Sequence, residues 1–210
     1  MKKILISALI FSFILIISLN SFAAKISGIE WYGDEININN IEGEEAYHIE
    51  LTGKVSMISE DYQISCDYAD FNSLSAELKL RENIEIKSND YLLRASFLQG
   101  NIKKEELRLE GDVRLEGSDI KISSELMSYN NISRKAYFQK NAVLNYEDIR
   151  AKGDKITVVI EENLIIIEGN VKGERDGQSF HAERTDINIE DSSIKLSGKA
   201  SLILPDRGEQ

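Results

Sequence analysis

Apolar and polar residues alternate along most of this chain with a period of two. One parity gives Ile49, Leu51, Gly53, Val55 and Met57, then Leu78, Leu80, Glu82, Ile84 and Ile86, then Leu107, Leu109, Gly111, Val113 and Leu115. The opposite parity is mostly charged or hydroxylic, as at Thr52, Lys54, Lys79, Arg108, Asp112 and Arg114. Side chains on a β-strand point to alternate faces, so the pattern predicts strands with one apolar and one solvated face. Each such strand ends in a polar turn, as at Ser59-Glu60-Asp61 or Glu174 to Gly177, and a second strand follows. The expected second strands are Tyr62 to Phe71, Tyr91 to Leu98, Ile120 to Met127, Ile149 to Val159 and Phe180 to Ile189.

The pattern also repeats at long range. Gly53-Lys54-Val55, Glu82-Asn83-Ile84, Gly111-Asp112-Val113, Asn141-Ala142-Val143, Gly169-Asn170-Val171 and Gly198-Lys199-Ala200 follow one another so that the aliphatic residue returns after 29, 29, 30, 28 and 29 positions. Fixed-period self-similarity is the mark of a repeat array whose units bury their apolar faces only on one another. The clearest unit is Ala151 to Val171, two strands around a turn at Glu161-Glu162-Asn163. The spacing is irregular near Asn141 and Ala142, where a bulge is expected. A flat sheet of about a dozen strands would leave its apolar face in water, so the fold expected is all-β, antiparallel and folded over around an apolar interior. A first strand is expected at Asp34 to Ile38. Trp31 and Tyr32 before it either cover an open end or simply pack on the first unit.

Glycines within strands forgo side-chain packing and mark a bend or a close approach. Gly53, Gly111, Gly169 and Gly198, with Ala95, Ser124, Ala151 and Ala182 on the second strands, therefore either crease the strands or leave room for an apolar ligand.

Composition narrows the function. Lys2 and Lys3, an apolar run from Ile4 to Leu19 and the small residues around Ala23 predict a signal peptide over 1–23 and an exported protein. The alternative is an uncleaved anchor, although the run of 16 residues is shorter than the roughly 20 that span a bilayer. The expected layout is that signal peptide, a repeat domain over 24–205 and a polar tail over 206–210. Beyond residue 23 there are 23 basic and 36 acidic side chains, a net charge of −13, which argues against nucleic-acid binding. Cys66 is the lone cysteine and reads as a small core residue. His48 and His181 lie far apart, and no HExxH, CxxC, GxSxG or phosphate-cradling loop occurs, so neither an enzyme, a cofactor nor a metal is expected.

The run Ile149-Arg150-Ala151-Lys152-Gly153-Asp154-Lys155-Ile156-Thr157, followed by two aliphatic strands and Gly169-Asn170-Val171, resembles the LptA/OstA family of periplasmic lipopolysaccharide transport proteins. The resemblance implies a repeat-built β-jellyroll of about 12–14 strands, open along one side. It implies an interior that holds lipopolysaccharide acyl chains, lined by Ile36, Ile38, Val55, Met57, Ile64, Ile84, Ile86, Leu93, Val113, Leu115, Ile122, Ile156, Val158 and Val171. It also implies self-association end to end, and pairing with LptC-like and LptD-like jellyroll domains, through Asp34, Ile36 and Ile38 at one end and Ile194, Leu196, Leu202 and Leu204 at the other. A further unit, Phe180 to Leu204, follows where a typical member is nearly finished. An LptC-like, membrane-anchored component and a structural β-repeat with a filled core are the alternatives.

Overall fold

The alternating segments form strands throughout the computed structural model, which describes residues 30–59 and 62–204. The expected signal peptide, the residues before Glu30, Glu60 and Asp61, Pro205 and the C-terminal tail lie outside the described residues. The strands are β1 (Glu30–Tyr32), β2 (Glu35–Asn40), β3 (Tyr47–Ile58), β4 (Tyr62–Asn72), β5 (Glu77–Ser88), β6 (Tyr91–Asn101) and β7 (Glu106–Gly117). They continue as β8 (Ile120–Asn130), β9 (Lys135–Tyr146), β10 (Ile149–Val159), β11 (Leu164–Arg175), β12 (Gln178–Asn188), β13 (Ile194–Ser197) and β14 (Ser201–Ile203). From β3 to β12 each strand pairs antiparallel with the next in one sheet. At the two ends, β1 and β2 both pair with β3, and β13 and β14 both pair with β12, so each couple is one broken strand. Trp31 and Tyr32 thus belong to the first strand instead of preceding it.

The break marks a feature that every unit shares. Gly53-Lys54, Glu82-Asn83, Gly111-Asp112, Lys140-Asn141, Gly169-Asn170 and Gly198-Lys199 all have positive φ, from 42 to 78°. Two successive left-handed residues insert a bulge, and the ladder slips there, as between Thr52 and Val55 or Glu168 and Val171. A bulge bends its strand, which makes each pair the corner of a unit. These corners stand 29 residues apart throughout.

That regularity corrects the expected irregularity near Asn141. The corner there is Lys140-Asn141, and Ala142, with no exposure, takes the place of Val55, Ile84, Val113 and Val171. Val143 is half-buried on the other face, while Leu144 and Tyr146 are buried. Matching on a β-branched side chain shifts the alignment by one residue; the backbone conformation restores it.

The corners also correct the reading of the glycines as interior positions. A Cβ on Gly53 would come within 2.5 Å of the Asp34 carboxylate, and one on Gly111 within 2.8 Å of the Ser96 side chain; Gly169 and Gly198 are covered in the same way by Asp154 and Glu183. These are solvated side chains of the polar face, so the glycines crease the sheet and leave no gap inside it. Small residues lie inside the bend at Cys66, Ala95, Ser124, Gly153 and Ala182, facing Val55, Ile84, Val113, Ala142 and Val171 across the ladder. Gly153, and not Ala151, holds that position in its unit.

Cross-strand register sets Leu51, Ala69, Leu80, Leu98, Leu109, Met127, Phe138, Ile156, Ile167 and Thr185 side by side across ten strands. None of them is more than 2% exposed. One face of a single sheet becomes this inaccessible only when something covers it, and the cover available is the other arm of the same bent sheet. The fold is therefore an all-β, antiparallel, folded-over jellyroll.

The turns after β4, β6, β8, β10 and β12 stack as well. Backbone N–H groups of Ile102, Asn131, Ile160 and Ile189 donate to the carbonyls of Ala76, Glu105, Arg134 and Asn163, each in the preceding unit, over 2.8 to 3.1 Å. These bonds satisfy turn amides that would otherwise stand unpaired, and they fix one unit on the last.

Candidate functional site

The candidate site is the apolar interior together with the two open ends. Of the residues assigned to the interior, Val55, Met57, Ile64, Ile84, Ile86, Leu93, Val113, Ile122, Ile156, Val158 and Val171 belong to one buried cluster, none more than 6% exposed. Leu115 is only partly buried against it. Ile36 and Ile38 are corrected. They share the interior parity, opposite Leu51 and Ile49, yet among the described residues no strand pairs with the other edge of β2 to cover it. They are 43% and 64% exposed, and so form the rim of the interior.

The far end is similar. Leu202 on β14 and Leu204 just after it are 54% and 64% exposed, whereas Ile194 and Leu196 on β13 pack partly against the core. Tyr32 and Ile203 add to the apolar surface at the two ends. Among the described residues no strand pairs with the outer edge of β2 or of β13 and β14. Asp34 is drawn away from the edge: its N–H donates to Gly53 O at 2.9 Å and its carboxylate covers Gly53, so it belongs to a corner.

The interior is apolar but not uniformly so. Ser124 Oγ donates to Leu126 O at 2.9 Å, and the Cys66 thiol donates to Tyr68 O at 3.3 Å, the same inward bend satisfying both. Burial pushes the Cys66 thiol up to about 11, which keeps it protonated and unreactive. Tyr129 donates to Asn131 Oδ1, and Asn131 in turn donates to Glu105, forming a buried polar bridge between adjacent turns. Burial also raises the phenol of Tyr129, which therefore stays a donor.

Thr185 has no exposure and its Oγ1 finds no partner among the described residues, although it stands in the apolar row beside Ile167. A buried hydroxyl without a hydrogen bond is destabilising, and removing it while keeping the shape recovers that cost. Thr185→Val is expected to stabilise the fold by about 1 kcal/mol, read as a higher urea midpoint with an unchanged slope.

The open side is latched near the C-terminal end. Tyr146 Oη donates to Ile189 O at 3.2 Å, Ser192 Oγ to Glu147 Oε2 at 2.9 Å and Arg175 Nη1 to Ser192 O at 2.6 Å. These join the turn edge after β9 and β11 to the opposite edge after β12. The partners are 17 to 45 residues apart, and no local pattern announces them. A pocket of about 470 Å³ lies elsewhere, towards the turn ends of β6 to β9, with Gln99, Arg108, Ser128 and Tyr137 of the polar parity in its wall.

The most family-like run is explained by a corner. Gly153 has no room for a side chain against Ile167 and the Glu168 carbonyl, Asp154 accepts from Asn170 Nδ2 at 3.0 Å, Lys155 lies 4.8 Å over the Tyr137 ring, and Ile156 enters the core.

Comparison with known proteins gives one family and a distant structural likeness. No curated protein matches the chain. Among solved structures, one similar chain is that of LptH, described as the LptA-homologous periplasmic component of the conserved lipopolysaccharide transport device of Pseudomonas aeruginosa. The likeness has a TM-score of 0.33 and 9% identity, and covers 69% of this chain and 94% of that one. The sequence profile of OstA-like proteins matches residues 31–152, ending one residue before Gly153. The matched stretch runs from β1 into the start of β10 and takes in the first four corners; since it is more than half of the chain, the chain belongs to the OstA-like family.

Proposed function

We propose that this protein is a periplasmic carrier that holds the acyl chains of lipopolysaccharide in its folded-over interior and passes them to neighbouring jellyroll domains at its ends. The observation that carries the reading is the continuous apolar row through ten strands, which emerges on an uncovered apolar rim at Ile36 and Ile38 on one side and near Leu202 and Leu204 on the other. Membership of the OstA-like family supports it. Each buried methylene contributes about 0.8 kcal/mol, so such an interior can retain a lipid without a specific polar contact. Exposed strand edges ordinarily invite unwanted pairing; here they fit β-augmentation by a second copy or by LptC-like and LptD-like domains. Lipid would enter by parting the two arms, against the few polar bonds that join their edges.

A second reading is favoured by a specific observation. The row from Leu51 to Thr185 is inaccessible to solvent because its own side chains fill it, as in a purely structural repeat protein. Photoreactive residues distinguish the two in living cells. At Ile84, Val113 or Ile156 they are expected to capture a phosphorylated glycolipid, and at Ile38 or Leu202 a polypeptide. A carrier role is abandoned if the three interior positions capture no lipid while the protein is folded and exported.

A further inference from the structure

The polar face of β3 and β4 carries a cluster that neither the apolar interior nor the strand edges require. His48 and Glu50 stand two apart on β3, and Asp70 lies opposite Glu50 on β4. One ligand atom from each, a ring nitrogen and two carboxylate oxygens, can be chosen within 4.8 Å of one another. His48 Nε2 is 3.0 Å from Asp70 Oδ2. All three residues are half-buried.

Two carboxylates directly opposite on an antiparallel pair repel. Among the described residues neither Glu50 nor Asp70 has a lysine or arginine as an ion-pair partner; Lys79 is opposite Asp70 on β5 but makes no salt bridge with it. The compensation comes from His48 and from the Tyr68 hydroxyl, which lies 3.1 Å from Glu50 Oε1 and 3.4 Å from Asp70 Oδ2. The Arg81 guanidinium lies 5.2 Å from the Tyr68 ring and fixes it from the other side.

We infer that His48, Glu50 and Asp70 form a binding site for a divalent transition ion of the zinc class. The separation of the His48 nitrogen and the Asp70 oxygen is close to the edge of a zinc tetrahedron, about 3.3 Å for bonds of about 2.0–2.1 Å. The ion would sit between these two atoms, with the imidazole hydrogen carried on Nδ1, and a side-chain rotation of Glu50 completes the third position. Water takes the fourth. An imidazole ligand disfavours calcium and magnesium, which take oxygen donors. Tyr68, donating to the carboxylates, then orients the ligands from outside. The sequence hides the site, because a lone H-x-E matches no metal motif until the β3–β4 hairpin brings Asp70 beside it. A bound ion would clamp β3 to β4, one strand in from the uncovered β2. The inference is independent of lipid carriage.

Zinc alone, titrated into the purified protein in competition with a chromophoric chelator, tests it. One saturable equivalent is expected, with binding weakened at least about tenfold in both His48→Ala and Asp70→Asn. His181→Ala, on a distant strand, should bind as wild type does. Cobalt substituted for zinc is expected to give the intense visible bands of a four-coordinate site, lost in His48→Gln, which retains the side-chain bulk if His48→Ala fails to fold. The site is refuted if zinc does not saturate a single equivalent, or if folded His48→Gln and Asp70→Asn retain wild-type affinity.

Discussion

Replacing Gly169 with valine is expected to destabilise the fold by about 3 kcal/mol or more. Gly169 has φ of 77°, where a β-branched residue is strongly disfavoured. Its Cβ would also run into the Asp154 carboxylate, with Asp154 Cγ at 2.8 Å, and pushing Asp154 aside breaks its hydrogen bond with Asn170. Backbone strain and the lost corner bond act in the same direction. Lys140 holds the equivalent place with φ of 62° and no glycine. Lys140→Gly should therefore stabilise by about 1 kcal/mol, since a left-handed L-residue costs roughly 1–2 kcal/mol. Urea unfolding of the two variants measures both. Equal effects of the same sign would show that the corners are not set by backbone conformation.

Truncating Phe138 to alanine has the other large effect. Phe138 has no exposure and is flanked across the ladder by Met127 and Ile156. Removing such a ring costs about 3–5 kcal/mol, part of it for the cavity that remains. In a chain of this size the melting temperature should drop by roughly 6–20 °C. The cavity gives the variant a second use. If the interior accepts acyl chains, a fatty acid should restore more stability to Phe138→Ala than to the wild type, because it fills a void already opened. Under the filled-core reading the fatty acid restores neither.

How far the sequence foretold this structure depends on what set each feature. Alternation at Leu78, Leu80, Ile84 and Ile86 reflects burial on one face, and burial is what residue type reports most directly. The array, its antiparallel strands and the burial of the assigned residues from Val55 to Val171, only partial at Leu115, were therefore legible. Corners were legible only as a recurring Gly-x-Val, which fails at Lys140-Asn141-Ala142, because the conserved quantity there is a positive φ and not a side chain. Ile36 and Ile38 show the opposite limit. Their pattern matches the interior strands, but exposure depends on whether another strand pairs with the far edge, and no residue in β2 records that. The Tyr146–Ile189 bond and the His48–Asp70 pair arise from folding over and from pairing across a hairpin, so they leave no mark on local spacing.

The constant spacing of the corners makes the chain a ruler. After the first corner, which Asp34 covers, the carboxylate or hydroxyl beside each one, at Asp67, Ser96, Glu125, Asp154 and Glu183, is also 29 residues from the next. Every unit carries its own bend, its own cover and its own turn bond to the unit before. Length can then change only in steps of one unit, two strands or about 9.5 Å of interior. A single inserted residue disrupts one corner and inverts the faces beyond it, whereas a whole added unit lengthens the apolar path and leaves every existing corner intact.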